Sequence, residues 1–141
     1  MGKVLCATRG GQASFRTQDA AIALAKDHSH ELTFLFVVDI RFLKRSRRAV
    51  RPEVVTAEMT RMGKFLLQMA QERAAAQGLA AGVILRCGHL RAELKAAVRE
   101  HKADLLVLGK PAGDESVYAL RELKNLAANI ETETGIRAII L

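Results

Sequence analysis

The segment Leu32 to Val38 constrains the fold more than any other part of the 141-residue chain. It consists of leucine, phenylalanine and valine with a single threonine, and apolar and polar positions do not alternate along it. Strands that are apolar on both faces are typical of a parallel sheet that helices cover on each side. The sequence therefore predicts a strand of this kind.

Predicted strands and helices alternate along the whole chain. The strands are Lys3 to Thr8, Leu32 to Val38, Gly82 to Arg86, Asp104 to Leu108 and Ile136 to Leu141. Between them, apolar residues recur at spacings of three and four, which predicts four helices. Right-handed crossovers fold such a chain into an α/β structure, a parallel sheet sandwiched between helices. The length is that of a single domain, residues 1–141.

Two of the predicted helices carry further signals. Ser14 is predicted to be the N-cap of the first helix, and Pro52 takes the first position of the second. The second helix also has an apolar stripe, which we interpret as core packing rather than a metal or partner site. The stripe consists of Val55, Met59, Met62, Leu66 and Met69.

The cysteines and the chain start indicate the compartment. Cys6 and Cys87 both lie in apolar segments, and two cysteines are too few for a disulfide framework. We predict that both are buried reduced thiols. Because the first residues lack the apolar core of a signal peptide, and no apolar run approaches the ~20 residues of a membrane span, we expect a cytoplasmic protein without membrane insertion.

Positive charge is concentrated in one segment. The net charge is +7, and residues 41–51 contain six of the 22 lysines and arginines and no acid. Such a basic loop attracts phosphates, nucleic acid or anionic lipid, or else it is a solvated loop without a specific ligand. Phe42 is the only aromatic residue there, so any nucleic-acid binding through this loop is expected to be non-specific.

Sequence signatures of common catalytic sites do not occur. The chain has no nucleophile elbow, P-loop or dinucleotide fingerprint. The four histidines fall near predicted helix ends, where we interpret them as capping or first-turn residues rather than metal ligands or catalytic bases. They are His28, His30, His89 and His101. We therefore predict neither an enzyme nor a metal site.

Two segments resemble the universal stress protein family, and the similarity extends from Lys3 to Leu141. Val4 to Ser14 is similar to the family's opening, an apolar strand followed by Asp-Gly-Ser-x-x-Ser. The stronger similarity is a glycine, Gly88, followed by a helix and then by Ala103-Asp-Leu-Leu-Val-Leu-Gly109. The resemblance implies a three-layer α/β/α sandwich with a flavodoxin-like, Rossmann-like parallel sheet of order 3-2-1-4-5. It also implies a role in stress response or regulation and, in some members, bound ATP.

The family's ATP signature is only partly present. It consists of a glycine, two residues, a second glycine, nine residues and then Gly-Ser or Gly-Thr, because backbone N–H groups must approach the phosphates closely. Counted from Gly109, the second glycine position is Ala112, with Gly113 one residue later, and the final pair is Glu122-Leu123. The sequence therefore predicts that ATP is not bound in the family's usual way.

Two interpretations follow from these departures. In the first, the protein is a stress or regulatory module without a nucleotide cofactor. In the second, it is an anion- or nucleotide-binding switch that uses Arg9, Lys110 and the loop 41–51, with ATP as a candidate ligand. Arg9 stands where the family has an acid, and its alternative roles are a solvated turn residue or a partner of Asp39. The residues assigned to the candidate site are Ala7, Arg9, Val38, Gly109, Lys110 and Gly113.

The last predicted strand is assigned to a homodimer interface. The resemblance implies dimers that pair through this strand. Its alternate residues Ile136, Ala138 and Ile140 would otherwise leave an apolar edge strand open to aggregation.

Overall fold

The computed structural model of the protein describes residues 2–9, 12–39, 52–110 and 116–141. Strands and helices alternate as the sequence predicts. They are β1 (Lys3–Ala7), α1 (Gln12–Asp27), β2 (Glu31–Asp39), α2 (Pro52–Ala76), β3 (Gly82–Gly88), α3 (Leu90–Glu100), β4 (Leu105–Leu108), α4 (Ser116–Thr134) and β5 (Arg137–Ile140). Among these helices, none combines the length and the hydrophobicity needed to cross a membrane.

The five strands form one parallel sheet in the order β3-β2-β1-β4-β5. This order confirms the topology that the family resemblance implies. β1 lies in the middle, where Leu5 is paired with Thr33 of β2 and with Leu106 of β4. The chain leaves β1 in one direction toward β2 and returns to its other side at β4, which creates a crevice at the carboxyl ends of these strands.

Residues of the central strands alternate between two apolar cores. One core contains Phe34 and Phe36 of β2 together with Ile22 of α1. The other contains Leu35 of β2 and Leu94 of α3. The segment Leu32 to Val38 therefore buries side chains on both faces of the sheet, as its composition predicts.

The predicted apolar stripe of α2 coincides only in part with the buried face of the helix. Met62 is 49% exposed, and the buried residues in this part of the helix are Gly63, Leu67, Ala70 and Ala74. A Cβ at Gly63 would lie 2.6 Å from Phe36 Cδ1 and 2.8 Å from Leu85 Cδ1, so the helix is closest to the sheet where it has no side chain. Met59 and Leu66 pack against the core, so the prediction of core packing is confirmed for these two residues and wrong for Met62.

Two further predictions are wrong. Ser14 is not the N-cap of α1, because the helix begins at Gln12 and Ser14 is buried in its first turn. Cys87 is exposed rather than buried, because it lies on the edge strand β3, which has a neighbour on one side only. Cys6 is buried as predicted, and desolvation raises the pKa of its thiol to about 12, which keeps it protonated.

Candidate functional site

A cleft of about 640 Å³ opens at the carboxyl ends of β1, β2 and β4. Ligands bind at this edge in open parallel sheets, and the volume lies within the range of small-molecule sites. The polar lining consists of Thr8, Arg9, Ser14, Thr17, Asp39 and Lys110. The apolar lining consists of Ala7, Leu35, Phe36, Val37 and Leu108 from the strands and of Met59, Met62, Leu90, Leu94, Leu123 and Leu126 from the helices.

The base of the cleft beside β1 is a group of buried polar side chains. The Thr8 N–H donates to the Leu35 carbonyl oxygen over 2.8 Å, which extends the pairing of β1 with β2 by one residue. Gln18 Nε2 donates to Thr8 Oγ1 over 2.9 Å, and both residues are buried. Gln18 Oε1 is also buried, and among the described residues no group donates to it. Thr8, Ser14 and Thr17 are buried and line the cleft, so its floor carries hydroxyl groups.

The end of β4 is held close to α1. A Cβ at Gly109 would lie 2.8 Å from Thr17 Oγ1, so the strand end approaches the helix as closely as it does because residue 109 is glycine. The Lys110 N–H donates to the Leu141 carbonyl oxygen over 2.9 Å, and Thr17 Oγ1 donates to the same oxygen over 3.3 Å. These contacts fix the Lys110 backbone and leave its side chain exposed.

The charged groups of the cleft follow the order of the strands. Asp39 ends β2, Arg9 follows β1 and Lys110 follows β4, so the acid and the two cations occupy neighbouring positions along one sheet edge. Arg9 and Lys110 are both exposed, whereas Asp39 is only partly exposed. The middle and the β4 side of the cleft are therefore electropositive, and the β2 side carries the acid.

Four of the six predicted site residues line this cleft: Ala7, Arg9, Gly109 and Lys110. Val38 does not, because its side chain is fully buried in the core with α1 and α2. Gly113, Ala112 and the basic loop 41–51 lie outside the described residues. Leu123 is buried and lines the cleft, so an apolar side chain stands where the family's signature has a hydroxyl group.

Sequence reasoning missed two groups of residues at the cleft. Thr17 lines the cleft, and Gln18 bonds to the lining residue Thr8. Both lie at helical spacing from the buried Ala21, Ile22 and Ala25, so a polar pair on the apolar face of α1 was a visible signal. Met59 and Met62 were assigned to the core; both line the cleft, and Met59 also packs against the core.

The histidines lie at the ends of helices, as their positions in the sequence predict. His89 is the N-cap of α3, not a residue of its first turn, and makes no side-chain capping hydrogen bond, whereas His101 is the C-cap. The rings of His28 and His30 are stacked with centroids 5.6 Å apart, and His30 Nδ1 accepts a hydrogen bond from the Gly2 N–H. Within the described part of the chain, no three His, Cys, Asp or Glu side chains are grouped in a way that could hold a metal ion.

Comparison with known proteins identifies relatives of this fold. The sequence model of the Universal stress protein family matches residues 1–127. A solved protein of that family from Burkholderia pseudomallei is 21% identical, with a TM-score of 0.73 and coverage of 99% of this chain and 95% of its own. A universal stress protein solved in complex with cAMP is 24% identical, with a TM-score of 0.72 and coverage of 99% and 96%.

A more distant relative is the universal stress protein of Archaeoglobus fulgidus in complex with dAMP. It is 12% identical, with a TM-score of 0.62 and coverage of 99% of this chain and 96% of its own. None of the curated proteins matches the sequence. At these identities, the solved structures establish the shared fold.

Proposed function

The chain belongs to the universal stress protein family, and we propose that it is a cytoplasmic regulatory protein of the stress response whose cleft binds a small anion. In this proposal, the side chains of Arg9 and Lys110 hold the anion in place of the glycine N–H groups of the family's ATP signature. The protein acts as a homodimer and catalyses no reaction. Ligand occupancy changes the surface that it presents to other proteins.

The observation that carries this proposal is the position of the two cations. Both are exposed, and both line a cleft of about 640 Å³ at the sheet edge where ligands bind in this class of fold. Two cations on one rim favour an anion through charge-assisted hydrogen bonds. The solved relatives in complex with cAMP and dAMP support a phosphate-bearing ligand, since both of those ligands are nucleotides.

The altered signature supports a departure from ordinary ATP binding. Leu123 presents an apolar side chain to the cleft, whereas the exposed Glu122 does not line it. An apolar group provides no hydrogen bond to a phosphate oxygen. The glycine signature is specific for the phosphates of ATP. Two side-chain cations require only that the ligand carry an anionic group.

Isothermal titration calorimetry of the full chain tests the proposal with Mg-ATP, cAMP and tripolyphosphate. We expect at least one of the three ligands to bind, and its affinity to fall about tenfold or more in the double variant Arg9→Gln/Lys110→Gln, because hydrogen bonds to charged groups contribute about 1.5–3 kcal/mol. The double variant Lys3→Gln/Lys64→Gln removes the same charge from exposed positions outside the cleft and is expected to bind like the wild type. Absence of binding for all three ligands, or equal losses in the two variants, would contradict the proposal.

The proposed homodimer forms through the open edge of β5. Ile136 and Ile140 pack against the core with α3 and α4, and Ala138 is buried in it, so these side chains are already covered within one chain. The edge itself is backbone. Because the Leu141 N–H donates to the Leu108 carbonyl oxygen, and successive N–H groups of a strand point to opposite sides, the N–H of residue 138 points away from β4.

Ala138→Pro tests this interface directly. Proline removes an outward N–H and is tolerated at strand edges, so we expect the fold to be retained and the dimer to be lost. Light scattering coupled to size-exclusion chromatography is expected to give twice the chain mass for the wild type and one chain mass for the variant. A monomeric wild type, or a folded variant of unchanged mass, would contradict dimerisation through β5.

A further inference from the structure

Two buried threonines line the cleft, and their hydroxyl groups are engaged in opposite ways. Thr17 Oγ1 donates its hydrogen to the Leu141 carbonyl oxygen over 3.3 Å. Thr8 Oγ1 instead accepts a hydrogen from Gln18 Nε2 over 2.9 Å. A hydroxyl group has one hydrogen to donate in addition to the lone pairs with which it accepts. The Thr8 hydroxyl therefore still has a hydrogen to give, whereas the Thr17 hydroxyl has already given its own.

The hydrogen of the Thr8 hydroxyl is left for a group in the cleft. Because the Gln18 amide approaches Thr8 Oγ1 from α1, the hydroxyl hydrogen points away from that amide. Within the described part of the chain, no acceptor for this hydrogen is present. Buried polar groups of proteins are almost always paired, so an unused donor needs an explanation. Since Thr8 lines the cleft, a bound ligand supplies the missing acceptor.

Gln18 is placed to hold the Thr8 hydroxyl in this orientation. Its side chain is buried on the apolar face of α1, where a polar group without partners destabilises the fold. Gln18 Oε1 is buried and receives no hydrogen bond from any described residue, so the bond to Thr8 is the contact that fixes the amide. The Thr8 backbone is fixed as well, because its N–H donates to the Leu35 carbonyl oxygen.

We propose that Thr8 is a further ligand-binding residue of the cleft and that Gln18 is a positioning residue that directs the Thr8 hydroxyl toward the ligand. The inference rests on the proposed anion site, since Thr8 immediately precedes Arg9 on the rim. The ligand class that fits is an oxyanion such as a phosphate ester. One of its oxygen atoms accepts from the neutral Thr8 hydroxyl, and its charge is held by Arg9 and Lys110. Hydrogen bonds to a charged acceptor are stronger than those between neutral groups.

Two isosteric substitutions separate the hydroxyl groups. In calorimetric titrations of the full chain with Mg-ATP, cAMP and tripolyphosphate, Thr8→Val should weaken every ligand that the wild type binds by about tenfold or more. Thr17→Val is the matched control and should weaken binding by less than about twofold, because its hydroxyl hydrogen is used within the protein. Thr8→Ser keeps the hydroxyl and should bind within about twofold of the wild type. Equal losses in Thr8→Val and Thr17→Val, or in Thr8→Val and Thr8→Ser, would overturn the role of Thr8.

A double-mutant cycle tests the positioning role of Gln18. Gln18→Met keeps the length of the side chain without its amide and should weaken binding about threefold, because the Thr8 hydroxyl is then free to turn. In a Thr8→Val background the same substitution should not weaken binding further. A threefold loss in both backgrounds would show that Gln18 acts on the cleft only through the packing of α1. Thr8→Val/Gln18→Met removes both partners of the buried bond, so it remains suitable for titration if Thr8→Val alone does not fold.

The proposed function and this inference fail in different ways. If a ligand binds through Arg9 and Lys110 and Thr8→Val binds it like the wild type, the anion site stands and the role of Thr8 is wrong. If Thr8→Val weakens binding and Arg9→Gln/Lys110→Gln does not, the hydroxyl contact stands and the anion site is wrong. If none of the three ligands binds, both are overturned.

Discussion

The two ends of the parallel sheet differ in how their polar groups are satisfied. At the amino end, side chains bond directly to the backbone where β1 begins: His30 Nδ1 accepts from the N–H of Gly2, the residue before the strand, over 2.9 Å, and Asp104 Oδ2 accepts from the Lys3 N–H over 2.8 Å. At the carboxyl end, the same strand leads into a cleft of about 640 Å³ rimmed by the exposed side chains of Arg9 and Lys110.

This difference assigns stability to the amino end of the sheet and the proposed ligand binding to its carboxyl end. Hydrogen bonds between side chains and strand ends fix the amino end, where backbone groups would otherwise depend on water. Exposed cations at the carboxyl end remain hydrated and cost little until a ligand arrives. Substitutions at the amino end are therefore expected to change the free energy of unfolding, and substitutions on the rim of the cleft to change ligand affinity.

The largest expected effect is loss of a core side chain near the amino end. Leu32 is buried near the start of β2 and is paired with Val4 of β1. Leu32→Ala should lower the free energy of unfolding by about 2–5 kcal/mol, because the substitution leaves a cavity between the sheet and its helices. Urea denaturation measures this change. A loss of unfolding free energy below about 1 kcal/mol would contradict the claim that the amino end of the sheet is tightly packed.

A smaller effect is expected at the hydrogen bond that Asp104 accepts. Asp104→Ala removes the acceptor of the Lys3 N–H and should cost about 1 kcal/mol of unfolding free energy. Asp104→Asn keeps an acceptor oxygen and is the matched control, with an expected loss of less than half as much. If Asp104→Ala and Asp104→Asn were equally stable, the hydrogen bond from the Lys3 N–H would not stabilise the amino end of the sheet.

The ion pair between α1 and α2 predicts a smaller, pH-dependent effect. Arg73 Nε and Nη2 donate to the two carboxylate oxygens of Asp19 over 2.6 and 2.8 Å, and these hydrogen bonds lower the pKa of Asp19. Because the side chains are 37% and 43% exposed, solvent screens the pair. Asp19→Asn is expected to cost about 0.5–1 kcal/mol at neutral pH.

The pH dependence of this pair has a definite sign. A lowered pKa in the folded state stabilises the protein at pH values above the unfolded pKa of about 3.9, and this contribution is lost as the pH falls through the folded value. The difference in unfolding free energy between wild type and Asp19→Asn should therefore be constant above about pH 5 and narrow below about pH 4. Glu58→Gln, which breaks the more exposed pair with Arg61, is the control and should show almost no difference at any pH. If the difference in unfolding free energy between wild type and Asp19→Asn widened below about pH 4, the lowered pKa of Asp19 would not be its cause.

The smallest effect on stability is expected at the rim of the cleft. Arg9→Gln/Lys110→Gln should change the unfolding free energy by less than about 0.5 kcal/mol, because both side chains are exposed. The same variant is expected to lose most of its affinity for anions. A loss of stability above about 1 kcal/mol would mean that these cations help to hold the fold and would break the contrast between the two ends.

The order of strands and helices could be predicted from the sequence because it depends on local patterns. The run Leu32 to Val38 and the apolar spacings are visible residue by residue. The exposure of Met62 could not be predicted, because α2 approaches the sheet closely at Gly63, where a Cβ would meet Phe36 and Leu85 from distant parts of the chain. Glycine does not contribute to an apolar periodicity, so Met62, next to Gly63, was assigned to the core although it is exposed.

The part of the site that follows directly from the positions of the strand ends was predicted, and the part that depends on packing was not. Residues two positions after a strand, such as Arg9 and Lys110, reach the cleft because every parallel strand ends at the same edge. Val38 precedes the end of β2 and alternates into the core, which depends on the phase of the strand. Gln18 is buried against Thr8, and that contact follows from the packing of α1 on β1 rather than from any sequence motif.

The most direct test of the contrast between the two ends is a map of backbone amide chemical shifts in the full chain as tripolyphosphate is added. Binding at the carboxyl end predicts shifts at Thr8, Arg9, Gly109 and Lys110, with no change at Lys3, Glu31 and Asp104. Shifts confined to the amino end, or no shifts at ligand concentrations in the millimolar range, would contradict the account.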